Sequence, residues 1–329
     1  MPIDNDHDRQ AGSPPARESR AGDVGDGALP GQGGAVCRGS FRENEPMARH
    51  VSWRTGGAAA RAYMPADLAD LVDFMAHLRF DEPLMTVGLG SNLLVRDGGF
   101  DGTVVFTHGA LKTLRLETDG CIYAEAGVAS PKVARFAANH DRAGAEFLAG
   151  IPGTIGGALA MNAGCYGGET WQFVERVLML DRRGVLRERT PAEFEIGYRH
   201  VGLKAATDEL FVAAWLRFPA GDGQAARARI TALLEARIST QPLSLPNAGS
   251  VFRNPPNDHA ARLIEAAGLK GTDEGGARGS EKHANFIVNP AGVASAAAIE
   301  RLISRVQARV KDMYGIELIP EVRIVGARP

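Results

Sequence analysis

The chain has 329 residues, 44% apolar and 23% charged, with a formal net charge of −2. That is enough for two or three domains of ordinary globular composition, and the near-neutral balance excludes nucleic acid or an anionic membrane surface as a partner. Cys37, Cys121 and Cys165 lie too far apart for a disulfide framework or a zinc site, so a reducing, cytoplasmic compartment and no metal are expected.

In chain order, residues 1–46 are rich in Gly, Pro, Arg, Asp and Ser and read as a disordered tail, without the charged start and apolar core of a signal peptide. A first unit is expected over 47–115. In it Val51–Gly57 forms a strand and turn, Pro65-Ala66-Asp67 opens a helix carrying Leu68, Leu71, Val72, Met75 and Leu78, and strands follow at 83–87, 93–95 and 103–106. A second unit, 116–220, has a strand at Ile122–Gly127, a helix from Ser130-Pro131 to about Asp141, and strands at Val174–Leu180 and Phe211–Leu216. A third, 221–329, holds a helix with Ile230, Leu233, Leu234 and Ile238, and a short helix with Leu263, Ile264 and Ala267. It continues with a strand at Phe286–Val288, a helix bearing Ile299, Leu302, Ile303, Val306, Val310 and Met313, and a closing strand at Glu321–Val325. No apolar run reaches the roughly 18 residues of a membrane span.

Two glycine loops interrupt this pattern: Gly88-Leu89-Gly90-Ser91-Asn92-Leu93, and Gly150-Ile151-Pro152-Gly153-Thr154-Ile155-Gly156-Gly157-Ala158 running on to Asn162. Glycines among Ile and Pro make a shaped loop rather than a linker. Alone, the second loop reads equally as a packing turn or as an anion-binding nest of backbone amides; the presence of two favours a long ligand with a diphosphate. The doubly wound dinucleotide fold is rejected: Leu93 stands where the third glycine of its fingerprint belongs, and the spacing in the second loop is wrong.

Seven segments in order carry a specific resemblance: Trp53-Arg54-Thr55-Gly56-Gly57, Gly88–Leu93, Gly150–Gly157, Gly197-Tyr198-Arg199, Asn247–Phe252, Ser280–Phe286 and Pro320-Glu321-Val322-Arg323. Over about residues 47–326 the chain resembles the UDP-N-acetylenolpyruvoylglucosamine reductase (UDP-N-acetylmuramate dehydrogenase) family. The compact stretch between Trp215 and Ser250 is similar to the family's shorter form. The resemblance implies an α+β protein: a two-subdomain FAD-binding fold of the vanillyl-alcohol-oxidase/PCMH type, plus a C-terminal α+β substrate-binding domain. It implies non-covalent FAD, NADPH as hydride donor and UDP-N-acetylglucosamine enolpyruvate as substrate; separately, a monomer is expected.

By the same resemblance, Arg199 stabilises charge on the substrate carboxylate, Ser250 donates the proton and Glu321 is the catalytic carboxyl. The two glycine loops, Gly127, Asn162 and Arg323 would hold the flavin, and Tyr166, Asn254, Lys270 and His283 would touch the UDP part, with Lys270 on the diphosphate. Read by themselves, Arg199 is a surface ion pair, Ser250 a turn residue, Glu321 a solvated charge and His283 as often a packed core histidine. Val201 and Thr240 depart from the family's Ser and Lys at their positions. Two rivals are an oxidase of the same fold, against which the absence of a flavin-tethering His in the first loop argues, and a flavin-binding protein without turnover.

Overall fold

A computed structural model describes residues 37–205 and 207–329. The first lobe is a four-stranded sheet ordered β1-β2-β5-β3, from β1 (Ser40–Pro46), β2 (Ala58–Met64), β3 (Leu84–Val87) and β5 (Phe100–Phe106), with β4 (Leu93–Val95) beyond the first glycine loop. Helix α1 (Leu68–His77) starts at Asp67, whose carboxylate accepts the Asp70 N–H at 2.9 Å, and buries Leu71, Phe74 and Met75 against the sheet. The second lobe is a five-stranded antiparallel sheet, β11-β10-β14-β7-β6. Its members are β6 (Leu114–Leu116), β7 (Ile122–Glu125), β10 (Val174–Asp181), β11 (Leu186–Arg189) and β14 (Glu209–Leu216). Covering it are α2 (Ser130–Asn139), with Pro131 in its first turn, and α3 (Ile155–Met161). The small hairpins β8 (Gly164–Cys165) with β9 (Gly168–Glu169), and β12 (Phe194–Gly197) with β13 (His200–Leu203), project from it.

Helix α4 (Gly223–Thr240) leads to the third lobe: α5 (Ala260–Ala266), the three strands β15 (Asp273–Glu274), β16 (Ala277–Gly279) and β17 (Ile287–Val288), α6 (Ala296–Tyr314) and β18 (Arg323–Val325). Ser295 caps α6 from its own chain segment, and Asp97 of the first lobe accepts the Ala296 and Ala297 N–H groups at 2.9 and 2.8 Å. Gly315, at φ 68°, ends it in the left-handed turn that glycine adopts without a Cβ penalty.

Several expectations are corrected. Residues 40–46 of the expected tail form β1, an edge strand held mainly by backbone pairing to β2, so composition gave no sign of it; residues 1–36 lie outside the described part. Ahead of it the Arg38 N–H donates to buried Asp70, which also accepts the Tyr63 hydroxyl. Val51–Gly57 is not a strand but a series of bends with Arg54 at φ 57° and Gly56 at φ 126°; the strand follows it. The turn from Gly156 hides a helix, α3, because two glycines mask its pattern. Leu114–Leu116 joins the second lobe's sheet. Helix α4 packs on the second lobe, burying Ala226 and Ile230 in its core, with Arg227 Nη1 donating to Ala138 O at 3.2 Å. The last strand does not close the third lobe: β18 runs parallel to β4, Arg323 opposite Leu93.

Trp53 is a second tie across the lobes. It is fully buried in the third lobe's core; its Nε1–H donates to Ile287 O at 2.7 Å, and its carbonyl accepts Asn289 Nδ2 at 3.0 Å. Trp53→Phe keeps most of the apolar area but leaves a buried carbonyl without its donor. It should cost about 1–3 kcal/mol, seen in urea unfolding as a lower midpoint at unchanged slope; an unchanged midpoint would contradict this account.

Candidate functional site

The lobes line a cavity of about 740 Å³ whose walls include both glycine loops and several charged side chains. The first loop leaves β3, and the second joins a 3₁₀ turn at Glu146–Gly150 to α3. They approach closely. A Cβ on Gly88 would lie 2.3 Å from Thr154 Oγ1, and one on Gly153 would lie 3.3 Å from Ser91 Oγ. Gly90, at φ 59°, passes so close to the His50 carbonyl that any side chain would collide with it. The Ile155 and Gly156 amides donate to Val128 O and Ala126 O at 2.9 Å each, pinning the second loop to the β7–α2 connection. Gly157 faces open space: a Cβ there has no neighbour nearer than 4.0 Å. Neither loop carries a charged side chain.

Among the charged wall residues is Arg199, on the tip of the β12–β13 hairpin at φ 54°, a backbone region that a non-glycine residue occupies only when its surroundings hold it there. The holder is buried Asn162, itself left-handed at the end of α3. Its Nδ2 donates to Gly197 O at 3.1 Å and to Glu169 Oε2 at 2.9 Å, and its Oδ1 accepts the Trp171 N–H at 3.1 Å. The Arg199 guanidinium then donates to Asn162 O at 3.3 Å, to Gly164 O at 2.6 Å and, through Nε, to Glu321 Oε1 at 3.0 Å.

Glu321 arrives from the opposite side on the segment leading to β18. Its N–H donates to Val251 O at 2.7 Å and its carbonyl accepts Asn92 Nδ2 at 3.1 Å, so it is tied to the Ser250 segment and the first glycine loop together. Burial pushes its carboxyl above the ordinary carboxylate range, against the pull of Arg199 and then Arg253. Ser250 follows Gly249, which turns the chain at φ 75°. The next two residues are clamped by buried Asn285, whose main-chain O accepts Val251 N–H while its side chain bonds both backbone groups of Phe252. Arg199, Ser250 and Glu321 all line the one cavity.

Of the remaining expected residues, Gly88–Leu93, Gly150–Gly153, Gly156–Ala158, Asn254 and Arg323 line it too. Six do not. Gly127 is packed against the Thr107 carbonyl, where a Cβ would lie 1.9 Å away, and Ile155 is a core residue. Asn162 orients Arg199 from behind. The Tyr166 hydroxyl donates to Leu233 O on α4, leaving the wall to its neighbour Cys165. Lys270 pairs with Glu265 at 3.2 Å. His283 is largely buried, edge-on to Phe286 with ring centroids 4.7 Å apart, and its Nδ1 has no partner. Val201 packs against the second lobe's core, and the Thr240 hydroxyl donates to Ala236 O in the last turn of α4. Unanticipated wall residues include Tyr198, Arg237, Gln241 and Asn285. Arg237 had a signal: with Ile230, Leu234 and Gln241 it falls on one helical stripe, a cation on an apolar face.

Residues 59–189 match the model of an FAD binding domain, and residues 241–325 match the model described as UDP-N-acetylenolpyruvoylglucosamine reductase, C-terminal domain. A UDP-N-acetylenolpyruvoylglucosamine reductase of Thiobacillus denitrificans is 56% identical over 306 residues, covering 89% of this chain and 94% of its own. One of Methylococcus capsulatus is 58% identical over 292 residues, covering 89% and 95%. The crystal structure of UDP-N-acetylenolpyruvylglucosamine reductase from Thermus caldophilus superposes with a TM-score of 0.73 at 29% identity, over 87% of this chain and 98% of that one. The residues present fit an FAD: two uncharged, glycine-rich loops line one cavity, and the open space at Gly157 leaves room for a diphosphate against backbone.

His283 carries a pH signature. Burial holds its ring below the ordinary histidine value, so between that depressed value and about 6.5 the unfolded chain binds the extra proton and stability falls as pH falls. Urea unfolding between about pH 7.5 and pH 5.5 should show a loss in the parent chain that is smaller in His283→Gln; equal losses would mean that His283 does not titrate there.

Proposed function

The chain belongs to the UDP-N-acetylenolpyruvoylglucosamine reductase family, and from that premise we propose how its cleft performs the reaction. The protein is a flavin-dependent oxidoreductase that reduces UDP-N-acetylglucosamine enolpyruvate to UDP-N-acetylmuramate with NADPH, a step of peptidoglycan precursor synthesis and so of cell-wall biogenesis. The chemistry that non-covalent FAD supplies when bound is hydride relay from NADPH to the β-carbon of the enolpyruvyl double bond.

The chain's own residues deal with the charge and the proton. Hydride addition sends negative charge onto the substrate carboxylate, and Arg199 meets it as a fixed cation whose tight turn and carbonyl partners remove the cost of reorientation. Ser250 gives its hydroxyl proton to the α-carbon, a far stronger base than the alkoxide left behind. Glu321, raised by burial and hydrogen-bonded to Arg199, orients the guanidinium and returns a proton toward the hydroxyl. The observation that carries this reading is the convergence of Arg199, Ser250 and Glu321, from three separate chain segments, on one cavity continuous with the glycine loops. Asn254, also on that wall, and Tyr198, whose hydroxyl accepts its N–H at 3.5 Å, are assigned to the sugar nucleotide. Lys270, Tyr166 and His283 are not carried into the site.

We read the working unit as one chain, because all three lobes of a single copy supply the walls. A cytoplasmic location rests on three free cysteines, among the described residues, in a chain whose described helices are too short or too polar to cross a membrane.

Purified protein should be yellow, bleach with NADPH, and regain its colour when the enolpyruvyl sugar nucleotide is added. Arg199→Lys, which keeps the charge but loses the fork, should lower kcat/KM about 100- to 1000-fold at unchanged flavin content. Ser250→Ala should lower kcat with little change in KM. Near-parental turnover in either variant would remove that residue from its assigned role.

A further inference from the structure

Arg253 has no part in the cavity wall and no ion-pair partner among the described residues, yet its Nε is buried without a hydrogen-bond acceptor. A buried Nε–H without an acceptor is costly, and a negative charge within reach of the half-buried guanidinium offsets part of that cost. The chain supplies one across a short antiparallel ladder. Phe252 bridges Pro320; Arg253 N–H donates to Ile319 O at 2.9 Å, and Glu321 N–H donates to Val251 O at 2.7 Å. Alternation about the Phe252–Pro320 bridge puts Val251, Arg253, Ile319 and Glu321 on the same face, with Arg253 and Glu321 on the diagonal, about 7 Å apart at Cβ. Ile319, directly opposite Arg253, is 57% exposed.

We propose that Arg253 is a positioning residue for Glu321, its unpaired guanidinium sharing with Arg199 the negative charge that Glu321 carries once it has released its proton. The two cations come from different elements. Arg199 holds one carboxylate oxygen by a direct hydrogen bond from the hairpin tip, whereas Arg253 acts through space from the ladder beside Ser250. The other groups about Glu321 are Arg323, two residues along its own strand, and the uncharged Ser250 and Asn92. Burial raises the carboxyl, and Arg199 and then Arg253 pull against it. Arg253 thus keeps the Glu321 proton exchangeable, which a carboxyl that must pass a proton on and recover it requires.

The inference rests on the reading of Glu321 as catalytic, and the test separates the two. Glu321→Gln should abolish the pH limb of kcat/KM that Glu321 sets; if activity and limb persist, the reading of Glu321 fails. With that limb assigned, Arg253→Gln should move it upward by about half to one pH unit, and Arg253→Lys should restore it. Should Arg253→Gln lose its flavin, the exposed neighbour serves instead. Ile319→Glu, placing a carboxylate beside Arg253, should move the limb upward, while Ile319→Lys should move it down. A limb that stays put in the Ile319 pair, or that Arg253→Lys displaces as far as Arg253→Gln, overturns the proposal.

Discussion

The hydrogen-bonded ion pair between Arg199 and Glu321 is the contact on which the site depends. Its two members lie 122 residues apart and belong to different lobes. Neither is an isolated surface charge. Three acceptors fix the guanidinium, and the carboxyl is anchored through both of its own backbone groups. A partly buried pair of this kind gains little net stability, because desolvating the charges offsets their attraction. What it contributes is placement: a cation and a proton-exchanging acid held together in a cavity that both glycine loops also line.

That placement requires lobes that cannot drift apart. Trp53 leaves the first lobe to bury itself in the third, Asp97 caps a helix of the third from the first, and β18 zips onto β4. Buried Asn285 and Asn162 do the same work at short range, each using a side-chain amide to fix a stretch of backbone beside a reactive group. Polar groups that are fully satisfied rigidify a site, and here they sit one residue behind the chemistry.

Local physics explains what was legible in the chain beforehand. Helical stripes, strand alternation and the two glycine loops are short-range signals, and the elements carrying Leu71, Val177, Ala214 and Ile299 lie where those signals put them. What failed was non-local. Nothing in α4 says that Ile230 will meet the second lobe, nor in residues 40–46 that an edge strand will form by backbone pairing. In the site, Arg199, Ser250 and Glu321 stood out only through a family resemblance, since each is individually commonplace. Lys270 came to the site only through the resemblance, and the nearby Glu265 takes up its charge. Arg237, which lines the cavity, went unnoticed because the stripe it shares with Ile230 and Leu234 reads as helix packing.

The parallel pairing of Arg323 with Leu93 sets an order of assembly. Strand β4 emerges from synthesis long before its neighbour β18, and contacts between such distant segments form late. Until the stretch from Glu321 to Val325 is made, the first glycine loop lacks its flanking strand and Arg199 lacks its carboxyl, so a chain interrupted before it holds most of the cradle but none of the acid. Docking of β18 and completion of the reactive centre are therefore one event.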